Sequence, residues 1–191
     1  MVRALLVAVL VASAACVPAQ THAHGGVSVE DDICLMKLGK YRSHFTGYQP
    51  ERRSTQEFCE DIPEVGKVVM VMDFMSDELR TMQTDFRIIR DVKKIGRSAT
   101  EADLGTNAEV EQATVYYKPP ELHPHGTLSA SHQFPEGGQF IGIVTATSED
   151  GQRFISVFPF SVGQKSYWPY MIVLLLSALV AFGLYRYSVR E

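Results

Sequence analysis

The chain has 191 residues, 46% of them hydrophobic and 21% charged, and its formal net charge is −4. When Arg3, Arg186, Arg190 and Glu191 at the two ends are set aside, 15 basic and 21 acidic residues remain, a net charge of −6. This acidic balance argues against a nucleic-acid partner and against docking on anionic lipid through a basic patch.

The N-terminus has the pattern of a signal peptide. A short positive start precedes an apolar run from Ala4 to Ala15, and at about 12 residues this run is too short to span a bilayer. We predict a signal peptide over residues 1–23, cleaved after Ala23, although cleavage after Ala19 also fits the small-x-small rule. Lipidation of Cys16 is a further alternative, but the box before it begins with an unfavourable serine.

The residues between the two ends are predicted to form mostly short strands. Apolar and polar residues alternate, or apolar residues run together, at 27–29, 33–38, 41–48, 67–75, 83–91, 113–117, 127–134, 139–147 and 153–162. Residues 50–55 are predicted to be a polar loop, and residues 93–107 a long loop with one helical turn. Such spacing predicts a mainly β fold, an immunoglobulin-like or cupredoxin-like antiparallel sandwich over residues 24–165.

The C-terminus is predicted to be a transmembrane helix over residues 166–187. The uncharged stretch from Ser166 to Tyr185 is about 20 residues long, enough to cross a ~30 Å hydrocarbon core. Arg186 and Arg190 follow the span, so residues 188–191 are predicted to be cytoplasmic and the β domain periplasmic, anchored in the inner membrane. Because the last strand leads into the span through about four residues, we expect the domain to stay close to the bilayer.

Two cysteines remain in the exported domain, Cys34 and Cys59. In an oxidising compartment such a pair most simply forms a disulfide. The alternative is that the two thiolates are metal ligands.

The end of the β domain carries a resemblance to known families. The sequence from Phe134 to Val144, followed by Phe158-Pro159-Phe160-Ser161-Val162, resembles the membrane-associated YtkA-like and FixH-like domains and, more broadly, CopC-like copper-binding proteins. The layout of signal peptide, small β domain and one C-terminal helix is similar to that of the PmoD-type accessory proteins of copper membrane monooxygenases. These resemblances imply a sandwich fold and a role in copper handling or in assembly of a membrane metalloenzyme.

Imidazole and sulfur groups are the ligands that copper prefers, and the candidates for them lie in three places. Cleavage after Ala23 would make His24 the first residue, and its amine and imidazole could chelate copper together, as in CopC-like proteins. His123 and His125 are separated by one residue, and His132 lies on the next predicted strand, on the same face as its apolar residues.

The third place is rich in methionine. Met70 and Met72 would point the same way on a strand, and Met36 lies beside Cys34. Thioethers suit Cu(I), but methionine at strand spacing in an apolar run more often fills a core. His44, alone between Ser43 and Phe45, is interpreted as structural.

The sequence gives no positive indication of catalysis. It contains no Gly-x-Ser-x-Gly, phosphate loop, His-Glu-x-x-His or Cys-x-x-Cys motif. Together with this lack of catalytic motifs, the resemblances to copper-handling families imply a non-enzymatic copper-binding accessory protein with an integral membrane enzyme as its partner. The alternative is a metal-free structural or interaction subunit of a membrane complex, whose helix presents small residues, Ser177, Ala178, Ala181 and Gly183, to partner helices.

Overall fold

The structure is a computed structural model that describes residues 34–53, 56–164 and 167–189. It divides into a β domain that ends at Gln164 and a separate unit that holds the C-terminal helix. The predicted signal peptide, His24 and the predicted strand at 27–29 lie outside the described residues.

The first sheet has five strands in the order β1-β2-β5-β8, with β3 paired to β2. All its pairings are antiparallel. Its strands are β1 (Leu35–Leu38), β2 (Tyr41–Tyr48), β3 (Glu57–Phe58), β5 (Gly66–Phe74) and β8 (Thr127–Phe134).

The second sheet has the order β4-β10-β9-β6-β7. Its strands are β4 (Asp61–Ile62), β6 (Gln83–Arg90), β7 (Thr114–Leu122), β9 (Gly138–Thr147) and β10 (Arg153–Val162). The short β4 runs parallel to β10, whereas the other pairings are antiparallel. Two sheets and one C-terminal helix confirm the predicted mainly β sandwich.

The core between the sheets is aromatic and rich in methionine. Side chains that alternate along the strands meet there because successive residues of a strand point to opposite faces. The rings of Phe134 and Phe140 contact edge to face at 4.9 Å, and Phe158 stacks on Phe86 at 6.1 Å. Phe86, Phe134 and Phe140 are buried, and each fully buried side chain of this kind stabilises the fold by about 1.5–3 kcal/mol.

The outer face of the second sheet is covered by a segment that we call the lid, residues 92–113. It contains two 3₁₀ turns (Gly96–Ser98 and Glu101–Asp103) and helix α2 (Asn107–Ala113). Helix α1 (Pro50–Arg53) lies earlier in the chain, outside the lid. A third 3₁₀ turn (Asp77–Thr81) lies outside the lid, between β5 and β6.

Polar bonds fix the lid at its start and within its turns. The Asp91 carboxylate accepts hydrogen bonds from the backbone N–H groups of Ile95 and Gly96, at 3.0 and 2.8 Å. Thr106 caps α2 in a capping box with Glu109. The guanidinium of Arg97 lies 2.6 Å from a carboxylate oxygen of Asp61 on β4, so the lid is held to the edge of the sheet.

Beneath the lid lies a second, smaller hydrophobic cluster. Ile89, Ile141 and Ile143 of the sheet are buried there, together with Ala99 of the lid. Leu104 and Val110 are among the half-buried residues that pack against them. The central strand β9 is therefore buried on both faces from Phe140 to Ala146, and its sequence is an apolar run rather than an alternation.

Two local predictions differ from the structure. Residues 50–55 were predicted to be a loop, but Pro50–Arg53 form one helical turn. The predicted strand 113–117 does not end at Pro119 and Pro120, because β7 continues to Leu122. Prolines are tolerated there since β7 is an edge strand, whose outer N–H groups need no partner in the sheet. The predicted helical turn within the lid is found at Glu101–Asp103.

Helix α3 (Trp168–Val189) contains a candidate membrane span. Residues Tyr170–Ser188 have a mean hydropathy of 1.7, and none of that window is buried within the protein. At 1.5 Å per residue this helix is long enough to cross a hydrocarbon core.

Candidate functional site

The two cysteines lie at one corner of the first sheet and form a disulfide, as predicted. A backbone bond from the N–H of Phe45 to the carbonyl of Cys34 (2.9 Å) extends the β1–β2 ladder to this cysteine. Cys59 lies between β3 and β4, and the two Cα atoms are 5.1 Å apart, within the usual range for disulfides. By strand alternation Cys34 shares a face with Met36, which is buried in the core.

His123 and His125 lie in the turn that joins β7 to β8. The N–H of Gly126 closes this turn on the carbonyl of His123 at 2.8 Å. The His123 ring is half-buried, with its edge against Phe74 at 6.0 Å. Its Nε2 atom is buried without a hydrogen-bond partner among the described residues. Burial, with a smaller contribution from the charge of Lys118, lowers the pKa of His123, so its imidazole is available as a neutral ligand.

His132 lies elsewhere on the sandwich. On β8 it packs between Tyr116 (5.5 Å) and Phe134 (4.6 Å), on the apolar face where the sequence predicted it. Burial lowers its pKa. In the sheet it is opposite Val68, whereas His123 contacts Phe74, six residues further along β5. At ~3.3 Å per residue this separation is about 20 Å, so the three histidines do not converge on one metal ion.

The methionine candidates are core residues. Met70 and Met72 point to the same face of β5, as predicted, and both have no exposed surface. Met36 is 5% exposed and joins the same cluster. The structure therefore gives these thioethers a packing role.

His44 lies on the face of β2 opposite to Phe45, and its Nδ1 atom is 3.2 Å from the hydroxyl oxygen of Thr46. Within the described residues no group of three or more His, Cys, Asp or Glu side chains has a geometry that could hold a metal ion.

A cleft of about 470 Å³ opens on the outer face of the second sheet, beside the lid. Two neighbouring rows of the sheet form its floor. In one row Asp85 pairs with Thr145, which pairs with Ile155; in the other, Tyr117 pairs with Arg87, which pairs with Ile143. The remaining lining residues are Arg153 of β10 and Glu101, Leu104, Gly105, Asn107, Val110 and Glu111 of the lid.

Two charged side chains of this cleft, Arg87 and Asp85, are influenced by their neighbours. The Arg87 guanidinium stacks on the Tyr117 ring at 4.3 Å and donates a hydrogen bond to Thr114 at 2.8 Å. Burial raises the pKa of Asp85, although Arg87, Arg153 and a hydrogen bond from Thr145 act in the opposite direction.

No motif in the sequence indicates this cleft. Alternation along the predicted strand 83–91 puts Arg87 on the face opposite to Phe86, and the structure agrees, since Phe86 is fully buried and Arg87 lines the cleft. The grouping itself depends on the register of four strands and on the lid, which one sequence does not provide.

No protein-family model matches this chain, and no curated protein does so either. Among solved structures, the chain is similar to the PmoD soluble domain from Methylocystis sp. ATCC 49242 (Rockwell), with 31% sequence identity and a TM-score of 0.59. The match covers 69% of this chain and 98% of that domain. Because nearly the whole of that domain is matched at this identity, the chain belongs to the PmoD family.

Proposed function

We propose that this chain is a membrane-anchored periplasmic copper-binding accessory protein that helps deliver copper to, or assemble, a membrane metalloenzyme. The observation that carries the proposal is the match to nearly the whole PmoD soluble domain. The resemblance drawn from the sequence, to PmoD-type accessory proteins of copper membrane monooxygenases, implies a place beside a copper enzyme. The single candidate span in α3 is consistent with such a place.

Three groups are candidate copper ligands. The first is His24, which lies outside the described residues; at a mature N-terminus its amine and imidazole could chelate copper together. The second is the corner of Cys34 and Cys59, where reduction would place two thiolates beside the thioether of Met36, and soft sulfur ligands suit Cu(I). The His123–His125 turn is a third candidate because His123 has a buried nitrogen without a protein partner.

The test is a copper titration of the full-length chain in detergent, after the mature N-terminus has been sequenced. Cu(I) and Cu(II) are each added to the oxidised and to the reduced protein, and bound copper is measured after desalting. We expect stoichiometric binding tighter than micromolar in at least one state. The copper proposal fails if no state binds, and co-purification with a membrane enzyme would then favour the metal-free subunit.

Three variants locate the ligands: His24→Ala, the pair His123→Ala with His125→Ala, and the pair Cys34→Ser with Cys59→Ser. His44→Gln is the matched control. The His44 imidazole lies on the face of β2 opposite to Phe45, next to Thr46, whereas Cys34 and Met36 share the core face. A loss of at least tenfold in affinity identifies a ligand group, and the control should leave the affinity unchanged.

A further inference from the structure

The cleft beside the lid has a charge arrangement that points to a ligand. Asp85 is half-buried in its floor, and Arg87 and Arg153 lie close enough on either side to lower the pKa of the Asp85 carboxyl. Among the described residues none of these three side chains forms an ion pair within 4.0 Å, unlike Arg97 and Arg90 in the same domain. Three charges thus face one cavity without a direct counter-ion.

Each guanidinium keeps donors for a ligand. The bond from Arg87 to Thr114 uses one of its five N–H donors, and stacking on Tyr117 fixes the plane of the others. Arg153 is exposed at the mouth of the cleft. A ligand carboxylate could therefore bind at Arg153, since guanidinium groups match carboxylate geometry.

The carboxylate of Asp85 adds a second requirement for the ligand, which is a positive charge. A ligand with only a negative charge would be repelled by this group and by Glu101 and Glu111 at the rim. A ligand with only a positive charge would be repelled by the two arginines. A ligand that carries both charges close together meets a group of opposite sign on each side.

Part of the lining is apolar. It consists of Leu104 and Val110 of the lid and Ile143 and Ile155 of the sheet, next to the polar Thr145 and Asn107. The volume of about 470 Å³ lies within the range of small-molecule sites, about 300–1,000 Å³. From these features we propose that the cleft binds a small zwitterion with an apolar side chain, that is, a free apolar α-amino acid, with its ammonium at Asp85 and its carboxylate at Arg153.

The described lining of the cleft contains none of the proposed copper ligands, so its test does not depend on copper. Full-length protein in detergent, free of copper, is titrated with L-leucine, L-isoleucine, L-valine and L-methionine, and binding is followed by calorimetry. The matched probes are 3-methylbutylamine and 4-methylpentanoate, which keep the leucine side chain and one charge each. We expect at least one amino acid to bind at least tenfold more tightly than either single-charge probe.

Two variants test the geometry. Asp85→Asn and Arg153→Gln keep the approximate shape of each side chain and should each weaken amino-acid binding at least tenfold. Asp77→Asn and Arg80→Gln are charge-matched controls, because this exposed ion pair (3.2 Å) lies outside the cleft, and both should bind as the parent does. Unchanged far-ultraviolet circular dichroism checks that every variant is folded.

Three results would overturn the proposal. The first is no binding by any of the four amino acids. The second is that an amine or carboxylate probe binds as tightly as the amino acid, because one charge would then be enough. The third is that both cleft variants bind as the parent does.

Discussion

A methyl group added at Gly142 should test how tightly the aromatic core is packed. Gly142 lies on β9 opposite Phe158 of β10, and a Cβ atom built there would overlap the Phe158 ring. That ring cannot move freely, since it contacts Phe45 at 4.6 Å and stacks on Phe86 and Phe160 at 6.1 Å.

Overpacking of this kind costs about 1–3 kcal/mol. Alanine also reduces the entropy of the unfolded chain, which returns about 0.4–1 kcal/mol. Gly142→Ala should therefore lower the free energy of unfolding by about 1–2 kcal/mol. With a urea m-value of about 2 kcal/mol/M, the unfolding midpoint would fall by about 0.5–1 M.

The assay is urea unfolding of residues 24–165, followed by circular dichroism, since the similar PmoD domain was crystallised as a soluble domain. Gly138→Ala is the comparison, because its Cβ would lie 3.3 Å from Nη1 at the far end of the Arg90 side chain, and we expect its change to stay below about 0.5 kcal/mol. In a Phe158→Leu background, the Gly142→Ala cost should fall by at least half. Equal costs in both backgrounds would show that the Phe158 ring is not the obstacle.

Three further predictions concern the disulfide and two ionisable groups. The pair Cys34→Ser with Cys59→Ser should lower the free energy of unfolding by about 3.5 kcal/mol, as the chain-entropy model gives for a separation of 25 residues; equal urea midpoints for the oxidised parent and the variant would contradict this. The Thr106 backbone N–H and the Lys93 ammonium lower the pKa of Glu109 from 4.5 to about 2, so its stabilising contribution is complete above pH 4.5 and is lost as the pH falls towards 2. Glu109→Gln should therefore lose less thermal stability than the parent between pH 6 and pH 2.5, and parallel melting curves would refute the assignment. Burial lowers the pKa of His132 below 6.5, so on acidification the unfolded chain takes up a proton at this residue before the folded chain does, and stability falls as the pH drops below 6.5. His132→Phe should therefore show a smaller fall in melting temperature than the parent from pH 7.5 to 5. An NMR titration that gives His132 a pKa above 6.5 would rule this out.

The strands that alternate were the easiest to predict from the sequence. The predicted bounds 41–48, 127–134 and 153–162 agree with β2, β8 and β10. Each of these strands has one face towards the aromatic core, so its pattern has a period of two residues. Helix α3 was equally clear because a membrane span requires a long uncharged run.

The lid was harder to predict, for a physical reason. Its helix α2 has only seven residues and no buried residue, so it lacks the periodic apolar face by which helices are recognised. It is stabilised by the Thr106 capping box and by contact with the sheet, and that contact brings together Ile89, Ile141 and Val110 from distant positions. These three residues meet only in the folded chain, so their positions in the sequence do not predict the contact.

The candidate metal ligands were predicted as single residues or short motifs. Whether they can share one metal ion depends on the distances between them in the fold. His123, His125 and His132 fall within ten residues of the chain, yet β8 carries His132 away from the turn as an extended strand. Closeness in sequence implies closeness in space only where the chain turns back. The cleft shows the converse, since Asp85 and Thr145 are far apart in sequence and are paired in the sheet.

The lid also limits how this domain can change. Its removal would expose Ile89, Ile141, Ile143 and Ile155 together on one sheet face, and an apolar patch of that kind favours aggregation. Residues 92–113 and the isoleucines beneath them must therefore be exchanged as a set, whether by evolution or by an engineer. A shorter relative without such a lid should carry polar residues at the outward positions of the corresponding strands.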